Sequence, residues 1–327
     1  MNKALIDTIF TAAEANQPVT DDVALAVLDA DHADLPALLH AANTIRVRNF
    51  GDTVKLCSIV NAKCGACSEN CAFCAQSAHN PGADTTRFNR LDPDQLIADR
   101  DRASRAPVAF FGVVTSGEAL REKDLEKIEQ ALLKSGENGA NWCASLGCLT
   151  KEQLLRLKKA GLKRFHHNIE TAESFFPHIC DTHPYAKRVE TVRAAVDAGL
   201  QVCCGGILGL GESLEQRVEM AATLATLGID SIPLNFLVPI KGTKLENAPV
   251  MTPLEILLTI IMFRLKNPMA EIRLAAGRAH LRSLQSMAFH AGVTGIMIGD
   301  LLTITGQNVE QDIQMVRDLG LEPELPA

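Results

Sequence analysis

Three cysteines stand four and then three positions apart in "CGACSENCAFCAQS", residues 64–77: Cys67, Cys71 and Cys74, with Cys64 just upstream. Three thiolates are one short of a closed tetrahedral metal site. Structural zinc sites usually draw on two short ligand pairs, whereas this is one triplet with unequal gaps, and the nearest further donor is His79, five residues beyond the last cysteine. Zinc is one reading. The other is a cubane of four irons held by three cysteines, whose remaining iron is free to bind a small molecule. An aromatic residue, Phe73, precedes the third cysteine, and Gly65 eases the sharp turn that converging thiolates require.

Elements must hold such a triplet at one end of a rigid frame. From residue 53 onward, short apolar or β-branched runs alternate with stretches of helical period: "TVKLCSIV", "VAFFGVV", "ANWCASL", "KRFHHNI", "LQVCCGGI", "SIPLNFL", "EIRLAA" and "TGIMIG". Helix candidates lie between them, among them "EKDLEKIEQALLKSG", "TKEQLLRLKKAG", "RVETVRAAVDAG", "SLEQRVEMAATLATLG" and "TPLEILLTIIMFRLKN", several stopping at glycine. Eight strand–helix repeats predict an α/β fold, a (β/α)8 TIM-type barrel with its active face at the strands' carboxyl ends. An open doubly wound sheet is the alternative. Residues 1–50 carry helical pattern only and read as an N-terminal helical cap on a barrel of residues 51–327 that ends in a C-terminal helix. The triplet directly follows the first strand candidate, where a barrel places its active-site loops.

Composition narrows the classes. The chain has 327 residues, 47% hydrophobic, with a net charge of −7 spread without long runs. No basic patch invites nucleic acid, and the longest apolar stretch, "LLTIIMF", is far short of a membrane span. The amino end, "MNKALIDTIFTAAEANQ", is amphipathic and acidic and does not read as a signal peptide. Ten cysteines then favour metal ligation in a reducing cytoplasm over a disulfide framework.

The triplet, with Phe73 before its third cysteine, resembles the signature of the radical S-adenosylmethionine enzymes. In that family the open iron chelates the amino and carboxylate groups of S-adenosylmethionine, and an electron from the 4Fe-4S cluster cleaves it to methionine and a 5'-deoxyadenosyl radical. Together "CGACSENCAFCAQS", "HHNIET", "VCCGGILGLGES", "IPLNFLVPIKGTKLE" and "IRLAAGR" are similar, in order and over nearly the whole chain, to the biotin synthases, which insert sulfur between two unactivated carbons of dethiobiotin. The resemblance implies that Thr115 and Ser116 meet the methionyl amino group, that Asn168 and Glu170 contact the ribose, that Arg188 pairs with the carboxylate and that the backbone at Ile207 holds adenine. A planar guanidinium suits a carboxylate, and glycines beside Ile207 would let a ligand approach the main chain. It further implies that Asn235, with Asn168 shared, binds the ureido ring of dethiobiotin, that a flavodoxin- or ferredoxin-type protein donates the electron, and that the chain is a homodimer.

The pattern departs from the family at the sulfur donor. Most biotin synthases ligate a 2Fe-2S cluster with three cysteines and an arginine on separate strands. Cys143, Cys203 and Arg273 match three of these, but the remaining position falls near Phe111, where no cysteine stands. Cys57 and Cys180 are extra, and with Cys143 and Cys203 could hold a larger auxiliary iron–sulfur cluster, Arg273 balancing its charge. The departure resembles a second branch of biotin synthases associated with anaerobic metabolism. Cys64, Cys148 and Cys204 read as small packed hydrophobes. Two other functions remain open: a related radical enzyme making a rearranged amino acid or a metal-cofactor ligand without a sulfur donor, and a non-enzymatic metal scaffold.

Overall fold

The computed structural model describes residues 1–136, 138–299, 302 and 308–325. Eight parallel strands close into a barrel: Thr53–Cys64, Val108–Thr115, Asn141–Ser145, Arg164–His166, Gln201–Cys203, Ser231–Phe236, Glu271–Leu274 and Gly295–Met297. Each pairs with the next, and the eighth returns to the first through Lys55↔Gly295, Leu56↔Ile296 and Cys57↔Met297. The open-sheet alternative is thereby excluded. Every strand falls on one of the eight apolar runs, but two differ from expectation in extent. The first continues past Val60 to Cys64, so only Gly65 and Ala66, both at positive φ, separate its end from Cys67. The fifth breaks at Cys204–Gly205 and resumes as Gly206–Leu208 against the sixth.

Helices shield the strands' outer faces. Those at Lys151–Ala160, Leu214–Thr226 and Pro253–Lys266 each begin with a complete capping box, Thr150 with Gln153, Ser213 with Gln216 and Thr252 with Glu255. The Pro253–Lys266 helix is buried from Ile256 to Leu265, which is why its sequence is apolar nearly all round. Helices Lys3–Ala15, Asp21–Leu28 and Leu35–Phe50 precede the barrel: the second packs against the helices at 214–226 and 253–266, the third against 253–266, and the first against the third. Val19 donates to Leu265 O at 3.1 Å, Asn49 Nδ2 to Pro268 O at 2.9 Å, and Lys266 pairs with Asp21 at 2.6 Å. These contacts gather where Pro253–Lys266 ends and the chain turns into the seventh strand, so the three helices brace the barrel's amino-terminal end, opposite the cysteine triplet. Among the described residues, helix Val309–Asp318 follows the eighth strand, and Glu322–Pro323 then pairs with Thr53–Val54. The expected barrel span ends at residues 326 and 327, which lie outside the described residues.

TIM-type barrels ordinarily fill their interior with branched apolar layers. Here the interior carries Cys57, Phe110, Cys143, Arg164, Cys203 and Arg273, with Glu271 beside the two arginines. That polar layer is the floor of the site.

Candidate active site

A cavity of about 390 Å³ opens at the strands' carboxyl ends and runs down to this layer. Its rim includes Cys67, Cys71, Phe73 and Cys74, and its floor Cys57, Cys143, Cys203 and Arg273.

The triplet loop is fixed by its own backbone. Cys67 donates to Gln76 O at 3.0 Å and receives Ala78 N at 2.9 Å, while Cys74 N reaches Cys71 O at 3.2 Å. The buried amide of Asn80 donates to the carbonyls of Cys71 and Cys74 at 3.1 and 2.9 Å, a positioning role the sequence reading missed because Asn80 lies outside the motif. Burial pushes the Cys74 thiol up to about 11, and Cys67 nearby raises it further. Three half-exposed thiols around one opening suit a cluster with one iron left for a ligand. His79 is turned away, its Nε2 3.0 Å from Ser68 O.

Across the opening, Ser116 Oγ donates to Gly65 O at 3.0 Å, tying the second strand's end to the triplet loop. Arg188 Nε donates to Asn168 O at 2.7 Å, Nη2 to Glu170 Oε1 at 2.6 Å and Nη1 to His183 Nε2 at 3.2 Å. Three of its five N–H bonds are thus committed, and the guanidinium borders the cavity with the rest. Since arginine only donates, His183 Nε2 accepts, and its proton sits on Nδ1, bonded to Glu69. Asn168 Oδ1 accepts from Gly205 N at 3.1 Å and His166 Nε2 at 2.9 Å. Asn235 bridges Gly206 O at 3.0 Å and Ala276 N at 3.1 Å, with its side chain on the cavity wall. Ile207 N donates to Glu170 O at 2.8 Å. The glycines before Ile207 serve neighbouring backbone first: an added Cβ would stand 2.1 Å from Pro233 O at Gly205 and 2.2 Å from Glu170 O at Gly206.

On the floor, register places Cys57 beside Phe110 and Met297, and Cys143 beside Arg164. Burial pushes the thiols of Cys57 and Cys143 up to about 12 and that of Cys203 well above its ordinary range, while Arg164 opposes each shift. Arg273 Nη1 donates to Cys57 Sγ, and Nη2 to Glu271 Oε2 at 2.5 Å. Two buried guanidinium nitrogens here, Arg273 Nε and Arg164 Nη1, have no hydrogen-bond partner among the described residues. Unsatisfied cationic donors beside two buried thiols, Cys57 and Cys203, and the half-buried Cys143 fit an anionic iron–sulfur centre, which would neutralise the one and deprotonate the other.

The structure does not bring Cys180 to this floor. Cys180 lies in the loop after the fourth strand, 3.6 Å from His183 Nδ1 and 3.4 Å from Thr182 Oγ1. Ala72 N to Ile179 O at 2.8 Å and Asp181 N to Asn70 Oδ1 at 3.1 Å lace the two loops together, so Cys180 belongs beside the triplet. Of the four expected thiols, Cys57, Cys143 and Cys203 share the floor and Cys180 does not. The strand position without a cysteine is also Phe110 rather than Phe111, because Phe111 faces outward and meets Trp142 edge-on at 5.7 Å. Cys204 packs in the core as expected, whereas Cys148 borders the cavity, 3.9 Å from His167 Nε2.

Residues 63–224 match the Radical SAM superfamily and 233–322 the Biotin and Thiamin Synthesis associated domain. The chain is 52% identical to the biotin synthase of Maridesulfovibrio salexigens over 96% of both chains, and 50% identical to that of Geobacter sulfurreducens over 92% of both. Its fold matches methylornithine synthase (TM-score 0.82, 18% identity, covering 98% of this chain and 97% of that one). It also matches the FeFe-hydrogenase maturase of Carboxydothermus hydrogenoformans (TM-score 0.80, 17% identity, 98% and 79%). At such identities these last two speak for the barrel alone. Sequence and fold together place the chain in the biotin synthase family of radical S-adenosylmethionine enzymes.

Proposed function

We propose that the chain converts dethiobiotin to biotin in this cavity, with the cysteine triplet and the floor thiols serving separate centres. The carrying observation is the polar floor: three thiols, two of them buried, and two partly unsatisfied arginines, below an opening ringed by Cys67, Cys71 and Cys74. An enzyme needing no sulfur donor has no use for this floor. When bound, the 4Fe-4S cluster with S-adenosylmethionine would supply hydrogen abstraction, and the auxiliary centre the sulfur atom.

The chain's own residues bind and orient. Arg188, held by Glu170, Asn168 O and His183, presents its free N–H bonds to a carboxylate. Thr115 and Ser116 stand at the opening for an amino group, and Glu170 and Asn168 for ribose hydroxyls. Asn235 keeps one N–H and one oxygen lone pair for a ureido group, and the enclosing wall keeps water from the reacting carbons. Cys57, Cys143, Cys203 and Arg273 hold the auxiliary centre. A flavodoxin- or ferredoxin-type protein reduces the enzyme, which works in the cytoplasm as a homodimer.

The test is anaerobic reconstitution with iron and sulfide, reduction, and assay of 5'-deoxyadenosine and biotin. Cys71→Ala should abolish 5'-deoxyadenosine formation. Cys143→Ala should keep it and lose biotin. Biotin from the Cys143→Ala protein at the parent rate refutes the assignment of the floor.

A further inference from the structure

One buried charge on the floor has no part in the roles above. Arg164 opens the fourth strand, in register with Cys143, and its side chain is 2% exposed. Its Nε and Nη2 donate to Gln201 Oε1 at 3.2 and 2.9 Å, and Nη2 also to Glu271 Oε2 at 3.2 Å. Nη1, with two protons, has no hydrogen-bond partner among the described residues. A guanidinium serving only as a counter-ion for Glu271 would turn both terminal nitrogens onto the carboxylate. Glu271 instead also receives Lys55 and Arg273, leaving the outer edge of Arg164 free.

That edge lies within the space of the three thiols. The guanidinium carbon is 3.7 Å from the centre of the Phe110 ring, and Phe110 is the inward residue of the second strand, paired with Cys57. Cys57, Cys143, Cys203 and Arg164 line the same cavity. Leaving two N–H bonds unmatched in so buried a place is costly unless something anionic meets them.

We propose that Arg164 is a fifth side chain of the sulfur-donor site, its Nη1 donating hydrogen bonds to the anionic sulfur of the centre held by Cys57, Cys143, Cys203 and Arg273, where the second strand offers Phe110 instead of a cysteine. The inference rests on reading those thiols as the auxiliary site. Arg164 keeps its proton throughout, so it acts as donor and charge, fixing the centre's position and offsetting its negative charge.

The experiment compares the full-length wild-type chain with Arg164→Lys and Arg164→Met after anaerobic reconstitution. It measures iron and sulfide per chain and Mössbauer spectra, and thermal unfolding of the metal-free proteins. Lysine retains a charge facing Glu271 and loses the planar fork. The metal-free Arg164→Lys protein should unfold near the wild-type temperature and its triplet cluster should be unchanged, yet it should hold auxiliary iron roughly 10–100-fold more weakly, with a shifted auxiliary doublet. Arg164→Met should lose that iron entirely. Full auxiliary iron with an unaltered doublet in both variants overturns the role of Arg164. A wild-type chain carrying only the triplet's cluster overturns instead the reading of the three thiols, and the inference with it.

Discussion

Cys57 and Cys180 are both buried, and their neighbours give them different work. Cys57 faces Arg273, Phe110 and Cys143, while Cys180 meets Thr182 and His183 in the loop laced to the triplet. Cys57→Ala should therefore strip auxiliary iron, and Cys180→Ala should retain it and perturb only the triplet's cluster, as iron analysis with electron paramagnetic resonance would report. Loss of auxiliary iron in Cys180→Ala would restore a four-thiolate site. Reactivity separates them too. Burial holds the Cys57 and Cys143 thiols at about 12, so below that pH their thiolate fraction, and hence alkylation of the metal-free protein, should rise about tenfold per pH unit. Cys180, held well below the ordinary thiol range by the neighbouring Cys71 thiol and by His183, should alkylate with little dependence on pH above neutrality. Mass spectrometry after iodoacetamide treatment distinguishes the two. The triplet was legible in the sequence because its geometry is local. The floor was less so, because its members lie on separate strands and only register decides which cysteine points inward. Arg164 gave no signal for that reason, being one arginine in a strand like any other.

The elements show why apolar runs located the strands but not their breaks. Gly205 and Gly206 sit where the fifth strand is squeezed between Pro233 and the Glu170 loop, and Glu170 itself is at positive φ. An added methyl at Gly206 would also meet Met220 Cε at 2.6 Å. Gly206→Ala should cost roughly 1–3 kcal/mol, read from the urea midpoint at unchanged slope. Gly136, with nothing within 4 Å and no positive φ, serves as the comparison and should shift little when changed to alanine. Equal stability of the two variants would mean that the strand break has room to relax. Helix positions were accessible from period and glycine stops, and the three capping boxes stand in the sequence as Ser or Thr followed three residues later by Gln or Glu. Which helix faces are buried twice, as in Pro253–Lys266, depends on the amino-terminal helices packing there.

In the whole molecule, the amino-terminal helices and the site occupy opposite ends of one barrel. Arg264, fully buried, joins the parts at the braced end. It donates to the carbonyls of Gly292, Asn267, Pro268 and Ala270, with its guanidinium carbon 4.8 Å from the centre of the Phe50 ring. Arg264→Met would leave those carbonyls unmatched and should cost roughly 2–5 kcal/mol of stability in denaturant unfolding while the cysteine loop keeps its local bonds. Barrel closure was readable from eight repeats, whereas this keystone was not, since its partners are main-chain carbonyls, which carry no side-chain signature in the sequence. The central claim is that the chain gives up sulfur from its own floor to dethiobiotin. It is tested most directly by reconstituting the protein with heavy-isotope sulfide, removing free sulfide, and running a single anaerobic turnover with S-adenosylmethionine, a reductant and dethiobiotin. Mass spectrometry should find the heavy isotope in the biotin formed, and biotin without it, or 5'-deoxyadenosine formed with no biotin while both centres are intact, would contradict the claim.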